Sequence, residues 1–191
     1  MSFLLKLSSA IDWITDHIGR YAIWLLLAAV IISAGNAVSR YAFSASSNAM
    51  LEVQWYLYSA VFILGAGYTL LKNQHVRIDL ISNRISAKAR NWVDVIGLAV
   101  FLIPVASMIA WMSWPGFVES FSTGEVSSNA GGLIRWPVRL LIPVGFWLLA
   151  AQGLSELIKR VAFLTGHADD SLEKPQDHGV LDLQHGEGEG K

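Results

Sequence analysis

The stretch Gly65-Ala66-Gly67-Tyr68-Thr69-Leu70-Leu71-Lys72-Asn73-Gln74-His75-Val76-Arg77-Ile78-Asp79-Leu80-Ile81 begins inside an apolar run and ends in a compact polar knot of His75, Arg77 and Asp79. Long apolar segments lie on both sides of it, so the knot belongs at a membrane surface. The rest of the chain is placed by working outward from that point.

Composition supports the membrane reading. Of 191 residues, 53% are hydrophobic and 15% are charged, and the mean hydropathy is +0.45. A soluble domain of this length would carry about 25% charged residues. The charges here collect in short intervals between apolar runs, the pattern of a membrane protein. A net charge of −1 gives no basis for nucleic-acid binding. The absence of cysteine excludes disulfides, thiol redox chemistry and thiolate-held zinc or iron–sulfur centres. Trp13, Trp24, Trp55, Trp92, Trp114 and Trp136 fall near the ends of apolar runs, where an aromatic belt sits.

Residues 1–20 place Phe3, Leu4, Leu7, Ile11, Ile14 and Ile18 at helical spacing among Lys6, Asp12, Asp16 and Arg20, which predicts an amphipathic helix in the interface. A signal peptide does not fit, because the segment before the apolar run is too long and too acidic. Four spans follow: Tyr21–Val38, Met50–Leu71, Trp92–Trp114 and Trp136–Ile158. Each is long enough to cross a hydrocarbon core of about 30 Å. Pro104 predicts a kink in the third span. Pro115–Ile134 reads as the longest loop, and residues 163–191 as a disordered tail. The expectation is an all-α integral membrane protein: an interfacial helix over 1–20, a four-helix domain over 21–162, and the tail.

With the N-terminus inside, Lys6, Arg20, Lys72, Arg77, Arg84, Lys88, Arg90, Lys159 and Arg160 are cytoplasmic, against Arg40, Arg135 and Arg139 outside. That asymmetry predicts both termini in the cytoplasm.

Chemistry is sparse. The middle of every span lacks Asp, Glu, His, Lys and Arg, and all five histidines lie outside the spans, so paired axial ligands for an intramembrane haem are missing. Ser33, Asn36, Ser59, Thr69 and Ser107 read as helix–helix contacts. Glu52 reads as a first-turn acid supported by the helix dipole and paired with Arg40, in preference to an ion or substrate ligand. Glu156 with Lys159 and Arg160 reads as a helix-surface cluster. In a helix, His75 and Asp79 are i, i+4 neighbours; in an extended chain all three knot residues share a face. No nucleophile or second carboxylate accompanies them, so catalysis is not indicated and no cofactor is expected.

Taken as a set, Asn36-x-x-x-Arg40-Tyr41-x-Phe43, Glu52, Gly65-Ala66-Gly67-Tyr68, His75-Val76-Arg77-Ile78-Asp79-Leu80, Pro143-Val144-Gly145-Phe146, Gln152 and Glu156 resemble the small permease (DctQ-type) subunits of TRAP transporters, the tripartite ATP-independent periplasmic systems. The resemblance covers about residues 20–162. Glu125–Leu133 followed by Arg135-Trp136-Pro137 is similar to a longer-loop branch linked to organic and 2-oxo acids, although where that branch shows Asn-Pro-Gly-Gly this chain has Ala130 before the glycines.

The resemblance implies a non-enzymatic scaffold in a bacterial inner membrane. Its partners would be a large (DctM-type) permease subunit and a periplasmic (DctP-type) solute-binding protein. Arg40, Glu52, Arg135 and Arg139 become candidates for contact with the binding protein. Gly65, Gly67, His75, Arg77 and Asp79 become a structural signature fixing the turn after the second span. A small membrane enzyme or electron-carrier subunit is the alternative, and a stand-alone channel a third reading. The missing cysteines, intramembrane histidines and pore-lining polar series disfavour both.

Overall fold

The computed structural model describes residues 2–44, 47–72 and 86–167. It is all-helical, with four helices long and apolar enough to cross a membrane: α1 (Ser2–Phe43), α2 (Asn48–Leu71), α3 (Ala87–Thr123) and α4 (Trp136–Leu164). They run up and down. The α1–α2 and α3–α4 turns meet at one end, the hairpin end, and the start of α1 and the end of α4 share the other, the terminal end.

Apolar side chains point outward and polar ones inward. Trp24, Trp55, Phe62, Phe101, Trp111 and Met112 are exposed, whereas Ser8, Thr15, Asn36, Asn91, Ser120, Gln152, Ser155, Glu156 and Arg160 are buried. That inversion suits helices whose surroundings are hydrocarbon and whose polar groups must find partners within the bundle. α4 is the central element, with 44% of its apolar stretch buried against 17%, 6% and 17% for α1, α2 and α3. It packs on all three other helices, and among the described residues the extended contacts of α3 are with α4.

The helix expected over residues 1–20 is not separate from the first span. α1 is continuous for 42 residues, about 63 Å at 1.5 Å per residue. Gly19, at the expected boundary, is not a break. It is buried against Tyr68, whose ring a Cβ at this position would overlap. The buried face of α1 repeats every seven residues, at Ser8, Thr15, Ala22, Ala29 and Asn36. A seven-residue repeat of small residues keeps one narrow seam against neighbouring helices in a left-handed crossing.

Two other expectations shift. The kink at Pro104 takes the form of a π turn over Gly97–Leu102 immediately before it, where Ile103 N–H reaches back to Leu98 O. Proline cannot donate to the preceding turn and crowds its carbonyl, which one extra residue per turn relieves. Gly153 of α4 makes room for this turn, since a Cβ there would meet Leu102 and Ile103. The third helix also runs beyond Pro115, which lies inside it, and ends at Thr123. Gly124, at φ +60°, closes it as a left-handed cap, donating to Phe121 O at 3.4 Å. The long loop is therefore only residues 124–135.

Candidate functional site

At the hairpin end, the 124–135 loop folds into a closed ring. Val126 and Ile134 form an antiparallel bridge. Ser127 N–H donates to Leu133 O at 2.9 Å and Arg135 N–H to Glu125 O at 2.8 Å. This ring docks on the first turns of α2. Asn48 Nδ2 donates to Ala130 O at 3.0 Å and Tyr56 OH to Ile134 O at 3.3 Å.

Glu52 is the centre of the docking. Its Oε2 accepts from Leu133 N–H at 2.7 Å, and its Oε1 accepts from Asn129 Nδ2 at 2.9 Å and from Ser127 Oγ. A carboxylate taking several such charge-assisted bonds holds a loop more firmly than neutral turn contacts do. The expected Glu52–Arg40 pair does not form. Arg40 is exposed near the end of α1 and has no ion pair among the described residues. Glu52 reaches instead to donors more than seventy positions away in sequence, which local spacing cannot reveal.

Arg135 and Arg139 do converge on Glu52's side of the molecule. Arg139 donates to Glu125 Oε1 at 2.8 Å and to Gly116 O at 3.2 Å, while Arg135 stands 3.5 Å from the same Glu125 oxygen. Together they border an open cleft of about 330 Å³ lined by Glu52, Trp55 and Tyr56 of α2, Ser127 and Asn129 of the loop, and Arg135, Val138 and Arg139 at the start of α4. Three of the four sequence candidates thus share one cleft, and Arg40 lies outside it.

The terminal end holds a second polar assembly. Asp12 of α1 accepts from Ser155 Oγ at 2.7 Å and Gln152 Nε2 at 2.9 Å, and pairs with Lys159 at 2.6 Å. Lys159 bridges to Glu156 at 2.8 Å, Glu156 pairs with Arg160, and Arg160 reaches Asp94 of α3 at 3.1 Å. Ser8 and Ser155 hydroxyls meet at 2.7 Å. The Glu156 cluster is therefore not a helix-surface group. Glu156 and Arg160 are 4% and 2% exposed, enclosed because α1 and the start of α3 fold over that face of α4. Nearby, Asp16 pairs with both Arg20 and Lys72 at 2.7 Å.

Of the signature residues, Gly67 sits at a close crossing. A Cβ there would lie 3.4 Å from Thr15 Cγ2 and 3.7 Å from Leu148 Cγ. Gly65 faces open space, with nothing within 4 Å of a Cβ, so it does not serve the close approach expected of it. His75, Arg77 and Asp79 lie outside the described residues, as does the tail from residue 168. Sequence reasoning missed Gly19, Gly145 and Gly153 as packing positions, and Ser8, Asp12, Asp94 and Ser155 as network members. The seven-residue spacing of Ser8, Thr15, Ala22, Ala29 and Asn36 was the available signal for the α1 seam.

Serine hydroxyls donate to a carboxylate in each assembly, Ser127 to Glu52 and Ser155 to Asp12, and among the described residues no group of three His, Asp or Glu side chains is placed to hold a metal ion. What the arrangement offers is helix–helix binding at one end and an organised polar surface at the other. The family described as "Tripartite ATP-independent periplasmic transporters, DctQ component" matches residues 29–163. No curated protein and no solved structure matches the chain.

Proposed function

The chain belongs to the DctQ components of tripartite ATP-independent periplasmic transporters, and on that premise we propose that it is the small membrane scaffold of such a system, bracing a large permease subunit for ion-coupled uptake of an organic acid. The family is one of transporter components, not of enzymes, and the chain is a multi-pass membrane protein. The single observation that carries the scaffold reading is the distribution of polar groups. Ionisable side chains gather in two layers at the helix ends and leave the middle of each span without one, so the bundle offers no path for a charged solute. Transport chemistry then falls to the large subunit, and this chain acts through contacts.

In this reading the protein sits in a bacterial inner membrane with the terminal end in the cytoplasm, as the lysine and arginine asymmetry favours. The hairpin end, with Arg135, Arg139 and the Glu52-organised loop, faces the periplasmic binding protein. Arg40 is a peripheral member of the same surface. His75, Arg77 and Asp79, which lie outside the described residues, have in this reading a structural role on the cytoplasmic side.

Co-expression with a large (DctM-type) permease subunit tests the core of the proposal. The two chains are expected to purify as a stable complex whose uptake activity is lost without this chain. Full uptake by the large subunit alone would overturn it. Charge reversal at Arg135 and Arg139 is expected to weaken docking of the binding protein, and unchanged docking and uptake would remove that part. Asp79→Ala is expected to lower complex yield more than solute affinity. Wild-type yield with altered affinity would count against the structural role.

A further inference from the structure

We propose that the hairpin-end cleft is a binding site for a carboxylate carried on a short apolar stem, with Arg135 as the group that receives it. The argument rests on which charges in the cleft are already committed. Glu52 has hydrogen bonds on both oxygens, two on Oε1 from Ser127 and Asn129 and one on Oε2 from Leu133 N–H. Three of the roughly four acceptor positions of this carboxylate are thus filled by the loop. Arg139 is spent on Glu125 and on the Gly116 carbonyl. Arg135 is not. Among the described residues its guanidinium makes only the 3.5 Å ion pair to a Glu125 oxygen that Arg139 already holds at 2.8 Å.

One Glu125 oxygen therefore serves two guanidiniums, and although Glu52 and Glu125 together balance the two arginines, Arg135 keeps guanidinium N–H donors without a hydrogen-bond acceptor among the described residues. A guanidinium is a planar fork of donors that matches a carboxylate in two parallel bonds. Beside it stand the apolar surfaces of Trp55, which is 70% exposed, and Val138. A cleft of about 330 Å³ lies at the small end of the range for ligand sites, with apolar walls and few oriented polar groups. The shape and charge fit a carboxylate followed by two or three carbons, which is the end of a glutamate side chain or a small organic acid.

The absence of cysteine makes the test direct. Val138→Cys places a single thiol in the cleft of the full-length chain, and its rate of labelling by an uncharged maleimide reports occupancy. Butyrate is the probe and butyramide its uncharged isostere. Butyrate is expected to slow labelling with half-protection at about 1–10 mM, the range open to so small a ligand, and butyramide to have no effect. Adding Arg135→Gln is expected to abolish protection, measured against that variant's own unliganded rate, because losing a neighbouring cation slows thiol labelling by itself.

Equal protection by both probes, no protection by butyrate, or protection that survives Arg135→Gln would each overturn the proposal. The two sources of the carboxylate separate in a second arm. Solute-free binding protein that protects the thiol, and ceases to when its surface acids are neutralised, identifies a protein side chain. Protection by the free acid alone identifies a small-molecule anion. The partner arm rests on the docking reading above and the butyrate arm does not, so failure of one is distinguishable from failure of the other.

Discussion

Asp12, near the start of the chain, and Lys159, near the end of α4, meet at 2.6 Å. The pair opens a line of alternating charges, Asp12–Lys159–Glu156–Arg160–Asp94, that ties α1 and α3 to α4. The two ends of this line are partly exposed and its centre is not. Arg160→Met should therefore cost far more than Asp12→Ala, because it strips the buried Glu156 and the Asp94 carboxylate of their shared cation. The expected losses are about 3–5 kcal/mol for the first and about 1 kcal/mol for the second. Unfolding in mild detergent titrated with SDS measures both. Equal losses would mean that burial of the centre does not set the cost.

Two glycines give opposite expectations. A Cβ at Gly145 would overlap Ile63 Cγ2 and lie 3.2 Å from the Ile63 carbonyl oxygen, so Gly145→Ala must push α2 from α4. The cost should be about 1–3 kcal/mol, with partial recovery when Ile63 is also shortened to Ala. Gly65→Ala meets nothing and should be neutral or stabilise the helix by up to about 1 kcal/mol. The same unfolding titration decides, and a destabilised Gly65→Ala would show that the open face is covered in the assembled protein.

Glu52→Ala leaves Leu133 N–H, Ser127 Oγ and Asn129 Nδ2 without their acceptor. The effect should be local. Hydrogen exchange at the Leu133 amide is expected to rise about tenfold to a hundredfold, as when a bond worth about 1.5–3 kcal/mol is lost. Exchange in the apolar middle of α4 should not change. A uniform rise across the chain would argue that Glu52 supports the whole bundle instead of the loop.

Pro104→Ala removes the cause assigned to the π turn. The Gly97–Leu102 segment is then expected to relax to α-helix, rotating Ala87–Ile96 by about 100° relative to the rest of α3 and pulling Asp94 away from Arg160. Spin labels on α3 and α4 near those residues would show the change in distance. An unaltered distance would mean that packing at Gly153 alone holds the turn.

The spans were legible because hydropathy over about twenty residues leaves few alternatives, and the ends of α2 and α4 fall close to where composition put them. What was not legible depended on partners remote in sequence. Glu156 and Arg160 show the i, i+4 spacing of an exposed pair, and nothing local says that Ser8, Asp12 and Asp94 will cover them. Glu52 and Arg40 are near in sequence, yet the closed 124–135 ring supplies better donors. Pro115 looked like a helix end because proline usually is one in water, whereas a helix in an apolar setting keeps its bonds on either side of the ring. Gly19 carried no signal of its own, and its role became readable only once Tyr68 was placed against it.

α3 rests on α4 and is fastened to it near both extremities, by Asp94–Arg160 at one and by the Glu125–Arg139 and Gly116–Arg139 bonds at the other. A rod pinned at two points behaves as a strut. The π turn at Gly97–Leu102 lies between the two fastenings, close to the Asp94 one. Losing either fastening should therefore free one end of α3 while the other end stays seated on α4.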